Sequence, residues 1–162
     1  MPTHIYFSIF NSIQLLPLLL VLLVYLILIS SIIKDEFYFT LDPCSTHNNH
    51  KCEKYFTLED NGLSQDWSND IVFMNPPYGR EIKLWIQKAY EESLNGAVVV
   101  CLIPARTDTT YWHNFIFGKA SEIRFIKGRL KFGDGKNSAP FPSAVIVYDK
   151  TKPIEHISIM TP

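Results

Sequence analysis

The first 33 residues contain no Asp, Glu, Lys or Arg, although the 162-residue chain has 15 basic and 16 acidic side chains. Cysteine is scarce too, and the odd number of three does not suit a secreted framework of paired disulfides. The formal net charge of −1 excludes a protein that binds nucleic acid through a strongly basic overall charge. These scarcities favour a globular domain from a reducing compartment, in which any DNA contact comes from a local patch.

The uncharged N-terminal part holds an apolar run at residues 15–33, LLPLLLVLLVYLILISSII. As a helix rising about 1.5 Å per residue, it would cross roughly the 30 Å hydrocarbon core of a bilayer. It has no charged leader and is longer than the apolar part of a usual signal peptide, so we expect a single transmembrane helix. The alternative is a shifted or truncated reading frame. Because Lys34, Lys51 and Lys54 follow the run, the positive-inside rule predicts a cytoplasmic location for the remainder.

The chain therefore divides into a hydrophobic segment, residues 1–33, and one globular domain, residues 34–162. In the domain, an apolar strand at 71–74, an amphipathic helix from Ile82 to Asn95 that Gly96 ends, and an apolar run at 97–103 follow one another. Strand, helix and strand in this spacing predict a βαβ unit with a parallel sheet, so α/β is the expected fold class. The other strands are predicted at 37–41, 122–126, 129–132 and 144–148.

The residues Asn75, Pro76, Pro77 and Tyr78 come directly after the predicted strand at 71–74. Open α/β sheets bind their ligands at this end of a strand. Two prolines fix the backbone, so the Asn75 side-chain oxygen and the Pro76 carbonyl can accept two hydrogen bonds from one amino group. Tyr78 then offers a ring on which a planar base can stack. The alternative is a rigid surface turn in which proline only ends the strand.

Six segments in order resemble the adenine-specific DNA N6-methyltransferases, whose active-site motif reads Asp/Asn-Pro-Pro-Tyr, and most of all the small phage-type Dam family. The resemblance implies a Rossmann-like, S-adenosylmethionine-dependent methyltransferase fold with a mixed sheet. Members normally begin with a polar Trp-x-Thr-Pro segment and a helix, so we expect a fold truncated at the N-terminus and preceded by one hydrophobic helix. The segments, within residues 39–148, are FTLDPC, KCEKYFT, EDNGL, NPPYG, LIPARTDT and GRLKFGDGKNSAPFPSAVIV.

The resemblance also implies a reaction, namely methyl transfer from S-adenosylmethionine to an adenine flipped out of double-stranded DNA. In that family role, Asn75 and the Pro76 carbonyl would hold the adenine amino group, Pro77 would keep the turn rigid and Tyr78 would stack on the base. The chemistry requires positioning and acceptor oxygens rather than a metal. Two alternatives remain open: a protein glutamine N-methyltransferase, which shares the motif, and an inactive relic that binds DNA or lies in the membrane.

For the methyl donor, the resemblance implies Asp42 and Cys44, beside the methionine or ribose part, and Asp60, near the ribose or adenine. The alternatives are purely structural: Asp42 would form a turn before the proline, and Asp60 would be a solvated carboxylate next to Glu59. No Gly-x-Gly loop follows the first predicted strand, so the common fingerprint of a nucleotide-binding loop is missing.

A basic stretch lies between Lys119 and Lys136 and predicts phosphate contacts with DNA. The alternative is a solvated sheet edge protected by lysines. The DNA-binding candidates in this stretch are Arg124, Arg129, Lys131 and Lys136.

Four potential zinc ligands, Cys44, His47, His50 and Cys52, lie within nine residues. Their spacing is tighter than that of the usual paired zinc knuckles. Because the family resemblance assigns this region to the methyl donor, we expect no metal.

The apolar run predicts how the chain fractionates. We expect the full-length chain to stay with membranes after a carbonate wash, and Leu22→Arg with Leu26→Arg to release it, because each charge costs about 3 kcal/mol near the bilayer centre. Immunoblotting of the two fractions is the measurement. A parent chain that is entirely in the soluble fraction would place the run against the domain instead.

Overall fold

A computed structural model describes residues 33, 35–130, 140–154 and 156–161. The apolar run at 15–33 lies outside these residues, apart from Ile33. Within the part of the chain that is described, no helix is long and apolar enough to cross a membrane. The transmembrane segment therefore stays a prediction from sequence.

In the described part of the chain, seven strands build one mixed sheet. Their bounds are β1 Leu41–Asp42, β2 Lys54–Tyr55, β3 Ile71–Met74, β4 Val98–Pro104, β5 Glu122–Ile126, β6 Ser143–Tyr148 and β7 His156–Met160. In space the order is β2-β1-β3-β4-β6-β5-β7. The first four strands pair in parallel, β6 runs antiparallel between β4 and β5, and β7 pairs in parallel with β5. This is the mixed, Rossmann-like sheet that the sequence predicts.

The predicted βαβ unit is confirmed. It consists of β3, the helix α1 (Ile82–Asn95) and β4, and the two strands pair in parallel with Val72 opposite Val99. Helix α1 ends at Gly96, whose φ of 123° lies in a region that side chains rarely adopt. Ile82, Trp85 and Ile86 form the buried stripe of the helix against the sheet.

Apolar side chains cover both faces of the sheet. In β4, Val99, Cys101 and Ile103 belong to the core on the α1 side, whereas Val100 and Leu102 belong to the core on the opposite face. This alternation explains why β4 reads as an uninterrupted apolar run. The second core also contains Ile33, Phe37, Ile126, Leu130, Val145 and Val147. The last residue of the apolar N-terminal run is thus fully buried against the sheet.

Two strand predictions need correction. The strand predicted at 37–41 is shorter, because residues 35–37 are helical and only Leu41 and Asp42 pair with neighbours. Tyr38, with φ of 47°, separates the two elements. Of the strand predicted at 129–132, Arg129 and Leu130 are not in a strand, and the remainder lies outside the described residues.

Two strands were missed by sequence reasoning, β2 and β7. The first has two residues, and the second exposes Ile157 and Ile159, so neither carries the pattern of a buried strand. Both are strands because they pair with β1 and β5, which is a tertiary effect.

The loop after β2 packs tightly against the loop after β1. A Cβ atom on Gly62 would lie 2.0 Å from the carbonyl oxygen of Pro43, which is closer than a Cβ atom comes to a non-bonded atom in real proteins. The Gly62 carbonyl also accepts a hydrogen bond of 3.0 Å from Nε1 of the fully buried Trp67. Gly62 therefore allows the two loops to meet at the carboxyl ends of β1 and β2.

This close approach makes Gly62 sensitive to a single methyl group. We expect Gly62→Ala to lower the free energy of unfolding by about 1–3 kcal/mol, because the backbone must move to admit the side chain. Gly79→Ala is the matched control, since no atom lies within 4 Å of its Cβ position. Urea unfolding of the full-length chain measures both, and equal losses for the two variants would contradict the steric argument.

Candidate active site

The strands that follow β1 in the chain, β2 and β3, lie on opposite sides of it in the sheet. The chain proceeds from β1 to β2 on one side, and then to β3 on the other side of β1. Such a switch point opens a crevice at the carboxyl ends of the two strands, where open α/β sheets bind ligands. Asp42 ends β1 and Asn75 follows β3, so the crevice lies between the predicted donor residues and the predicted catalytic motif.

Cys44 connects these two segments. The backbone N–H of Asn75 is close enough to the Cys44 sulfur to influence the pKa of the thiol. Burial raises the pKa of the Cys44 thiol far above its ordinary value, the Asp42 carboxylate adds to the rise, and the Asn75 N–H only partly offsets it. Cys44 is therefore a protonated thiol that joins the β1 loop to the β3 loop, not an exposed nucleophile.

Hydrogen bonds of Tyr78 stabilise the conformation of the motif after β3. Tyr78 donates its hydroxyl proton to Asn75 Oδ1 at 2.9 Å, and its oxygen lies 3.3 Å from the Leu102 carbonyl oxygen. Burial raises the pKa of the Tyr78 phenol, so the group stays protonated and remains a donor at neutral pH. A carbonyl oxygen has two lone pairs, so Asn75 Oδ1 can still accept a bond from a ligand. Pro76 is buried and Pro77 is exposed, which gives the turn one anchored residue and one solvent-facing residue.

A cavity of about 300 Å³ opens beside Tyr78. This volume is at the lower end of the range for small-molecule sites, as suits a single base. The described lining includes Tyr78 but neither Asn75 nor Pro76, so the tyrosine is the residue by which the motif borders the cavity. Phe141 contacts the Tyr78 ring edge to face, with centroids 5.5 Å apart and planes at 72°. The other lining residues are Gly79, Arg80, Ile82, Lys83, Pro104, Arg106, Thr109, Thr110 and Tyr111.

Asp42 organises the loop after β1. Its side chain is buried, and its oxygens accept backbone N–H bonds from Lys51 at 3.0 Å and Cys44 at 3.5 Å. Burial raises the pKa of Asp42, whereas the two N–H donors act to lower it. Asp42 thus fixes residues 43–51 at the edge of the crevice through its carboxylate.

Asp60 lies in the loop after β2 and is exposed. Its Oδ2 accepts bonds of 2.8 Å from both the backbone N–H and the hydroxyl of Thr57. These bonds lower the pKa of Asp60, so the group is ionised at neutral pH, and His47 from the β1 loop is close enough to lower it further.

Comparison with protein families agrees with this geometry. A family described as DNA N-6-adenine-methyltransferase (Dam) matches residues 27–161. The chain belongs to the Dam family. The match begins within the apolar run, six residues before Ile33, and includes every strand of the sheet. The sequence-based recognition of the family is thereby confirmed.

Individual relatives support the same conclusion. A DNA N-6-adenine-methyltransferase of Haemophilus phage HP1 (strain HP1c1) is 26% identical over 121 residues, which cover 71% of this chain and 69% of that protein. A DNA N-6-adenine-methyltransferase of Escherichia phage T1 is 32% identical over 93 residues, 57% of this chain and 38% of that protein. A putative methyltransferase of Escherichia coli (strain K12), YfdM, is 44% identical over 46 residues, 25% of this chain and half of that protein.

The predicted DNA-binding residues of this Dam-family chain are not equivalent. Arg124 forms a bidentate pair with Glu36, with both N···O distances 2.6 Å, and a second pair with Glu122. Its side chain is 12% exposed and these pairs give it a structural role, while its contact with DNA stays a prediction from the sequence. Arg129 is exposed, with Nη1 3.4 Å from the Pro140 carbonyl oxygen. Lys131 and Lys136 lie outside the described residues.

The four potential zinc ligands are used in other contacts. His50 stacks on Tyr55 with ring centroids 4.1 Å apart, and its Nδ1 bonds to the Cys52 carbonyl at 2.8 Å. His47 Nδ1 bonds to the Tyr55 hydroxyl at 3.0 Å. Among the residues that the structure describes, no group of three or more His, Cys, Asp or Glu is arranged to hold a metal ion.

Sequence reasoning missed the residues that complete the cavity, Arg80, Lys83, Arg106 and Phe141. Arg80 and Lys83 follow the motif by a few residues, while Arg106 follows β4 and Phe141 precedes β6. The backbone bond of 2.8 Å from Ala105 N–H to the Pro142 carbonyl brings the last two segments together. No local pattern reveals this meeting, although the family segments LIPARTDT and SAPFPSA contain the residues.

The ion pairs of Arg124 predict an acid-sensitive contribution to stability. Burial is the largest single influence on Glu122 and acts to raise its pKa, but the hydrogen bonds from Arg124 and Lys152 together lower it below the ordinary 4.5. The pairs therefore stabilise the fold above pH 4.5, and this stabilisation disappears as the pH falls through the lowered value. We expect Arg124→Met to cost about 2 kcal/mol at neutral pH, between the values of exposed and buried pairs.

Urea unfolding of the parent and Arg124→Met, at neutral pH and well below pH 4.5, measures this contribution. The difference between the two proteins should shrink in acid. Arg129→Met is the matched control, because its guanidinium is exposed and makes one long bond. A pH-independent loss in Arg124→Met would mean that its packing over Phe37, rather than its charge, stabilises the fold.

Proposed function

We propose that this Dam-family chain methylates N6 of an adenine that is flipped out of double-stranded DNA, with S-adenosylmethionine as the methyl donor. The observation that carries the proposal is the strand order, which brings the Asn75 to Tyr78 motif after β3 next to the Asp42 and Cys44 loop after β1. Family membership and the phage relatives support the reaction class.

On the acceptor side, Asn75 Oδ1 and the Pro76 carbonyl would accept the two N–H bonds of the adenine amino group. Two acceptor oxygens draw electron density toward the nitrogen and stabilise the positive charge that develops there. The Tyr78 hydroxyl already orients the Asn75 amide, so little ordering cost remains when the base binds. The Tyr78 ring and the Phe141 ring border a cavity of suitable size for the flipped base.

On the donor side, the residues at the carboxyl ends of β1 and β2 fit S-adenosylmethionine. Asp60 is an exposed carboxylate on a loop that Gly62 packs against Pro43, and an acidic residue about 20 positions after the first strand suits a ribose hydroxyl. The buried Asp42 carboxylate would position the loop rather than contact the donor. S-adenosylmethionine, when bound, supplies the activated methyl group.

The proposal predicts which change at Asn75 stops the reaction. With labelled S-adenosylmethionine and duplex DNA, the full-length parent should produce N6-methyladenine, and Asn75→Ala should lower kcat by on the order of a hundredfold or more, as loss of a transition-state contact does. Asn75→Asp should retain activity, because an acidic residue also provides an acceptor oxygen and occurs at this position of the family motif. Asn69→Ala, an exposed asparagine before β3, is the control.

Three outcomes would contradict the proposal or part of it. Unchanged activity in Asn75→Ala would remove that residue from the mechanism. A folded parent that binds no S-adenosylmethionine in calorimetry would favour the inactive relic. Label transferred to glutamine in added protein, but not to DNA, would favour the protein methyltransferase.

A further inference from the structure

The cavity beside Tyr78 has a positive rim. Three of its described lining residues are cations, Arg80, Lys83 and Arg106, and all three are exposed. None of the described lining residues carries a carboxylate. Glu81 and Asp108, which lie near Arg80 and Arg106 in the sequence, are not among the lining residues. After its N-cap residue Glu81, the first turn of α1, which contributes Ile82 and Lys83 to the lining, has no acidic side chain.

These cations differ from those that stabilise the fold. Among the described residues, Lys54, Lys88, Arg124 and Lys152 have carboxylate partners within ion-pair distance. Arg80, Lys83 and Arg106 take part in no such pair within the same residues. Charges without an internal partner, gathered at the mouth of one cavity, favour an anion from outside.

Arg106 is also positioned before any ligand arrives. Its carbonyl accepts bonds from the Thr109 N–H at 3.0 Å and the Thr109 hydroxyl at 2.7 Å. Its guanidinium carbon lies 4.9 Å from the centre of the Phe141 ring, and that ring contacts Tyr78. A continuous series of ring contacts thus runs from the aromatic wall of the cavity to a cation at its rim, which places a planar donor of several hydrogen bonds next to the base site.

We propose that Arg80, Lys83 and Arg106 form a phosphate clamp that binds the DNA backbone on the two sides of the flipped adenine. The clamp rests on the proposed function, because it takes the cavity as the site of the target base. A flipped nucleotide exposes its flanking phosphates at the mouth of its pocket, and cations at that position stabilise the open DNA rather than read its sequence. The clamp cations differ from Arg124 in having no carboxylate partner among the described residues.

The test compares two charge-matched double variants of the full-length chain. Arg80→Ala with Arg106→Ala removes two clamp charges, while Lys127→Ala with Lys150→Ala removes two exposed charges that do not line the cavity. Binding to a duplex that contains one unpaired adenine is followed by fluorescence anisotropy over a range of salt concentrations, without donor. Each lost phosphate contact should reduce the slope of log K against log salt by about 0.9, so the clamp variant should lose about two and the control should keep the parent slope.

Two further measurements separate a clamp from a general disturbance. Arg106→Lys keeps the charge and should retain most of the slope, and the clamp variant should bind S-adenosylmethionine as the parent does. In the methylation assay, loss of the clamp should raise KM for DNA on the order of tenfold or more and leave kcat at saturating DNA within a few-fold, because phosphate contacts act on binding.

The possible results also distinguish the clamp from the proposed function. A parent that binds DNA through these cations but transfers no methyl group would contradict the function and support the clamp. A parent that methylates DNA, with equal slopes in both double variants, would support the function and overturn the clamp. Loss of donor binding in the clamp variant, or no DNA binding by the folded parent, would also overturn it.

Discussion

The parallel pairing of β1 with β3 is the constraint on which the remaining structure depends. One register pair, Leu41 opposite Val72, places the end of β1 beside the end of β3. The strands β2 and β3 then lie on opposite sides of β1. The Asn75 backbone N–H lies close to the Cys44 thiol because of that pairing. Without it, the donor-side loop and the catalytic motif would be two unrelated turns.

Buried polar groups hold this arrangement in place. Asp42 fixes the loop after β1 by accepting backbone bonds, and the Trp67 indole bonds the Gly62 carbonyl of the loop after β2. Glu92, buried on α1, accepts the Trp67 backbone N–H at 3.1 Å and pairs with Lys88. Helix, loop and strand ends are therefore connected by satisfied polar contacts, which stabilise the crevice without occupying its acceptor oxygens.

Positive charge in the chain serves two separate purposes. Arg124 and Lys152 neutralise carboxylates at the side of the sheet formed by β5, where burial would otherwise penalise Glu122. The cavity cations Arg80, Lys83 and Arg106 have no such partners among the described residues and surround the mouth beside Tyr78. A net charge near zero therefore does not argue against DNA binding, because three cations without a carboxylate partner gather at the mouth of one cavity.

The sequence by itself determined the central βαβ unit, the motif Asn75 to Tyr78 and the family, because each is encoded in neighbouring residues. The strands 71–74 and 122–126 and the helix from Ile82 to Asn95 were predicted to the residue, since a buried run or an amphipathic stripe is a local pattern. Only the tertiary structure decided that β2 and β7 are strands, that Arg124 is paired with Glu36 across 88 positions, and that Phe141 meets Tyr78. Those outcomes depend on contacts between distant parts of the chain, and side-chain chemistry alone does not say which distant partner lies within reach.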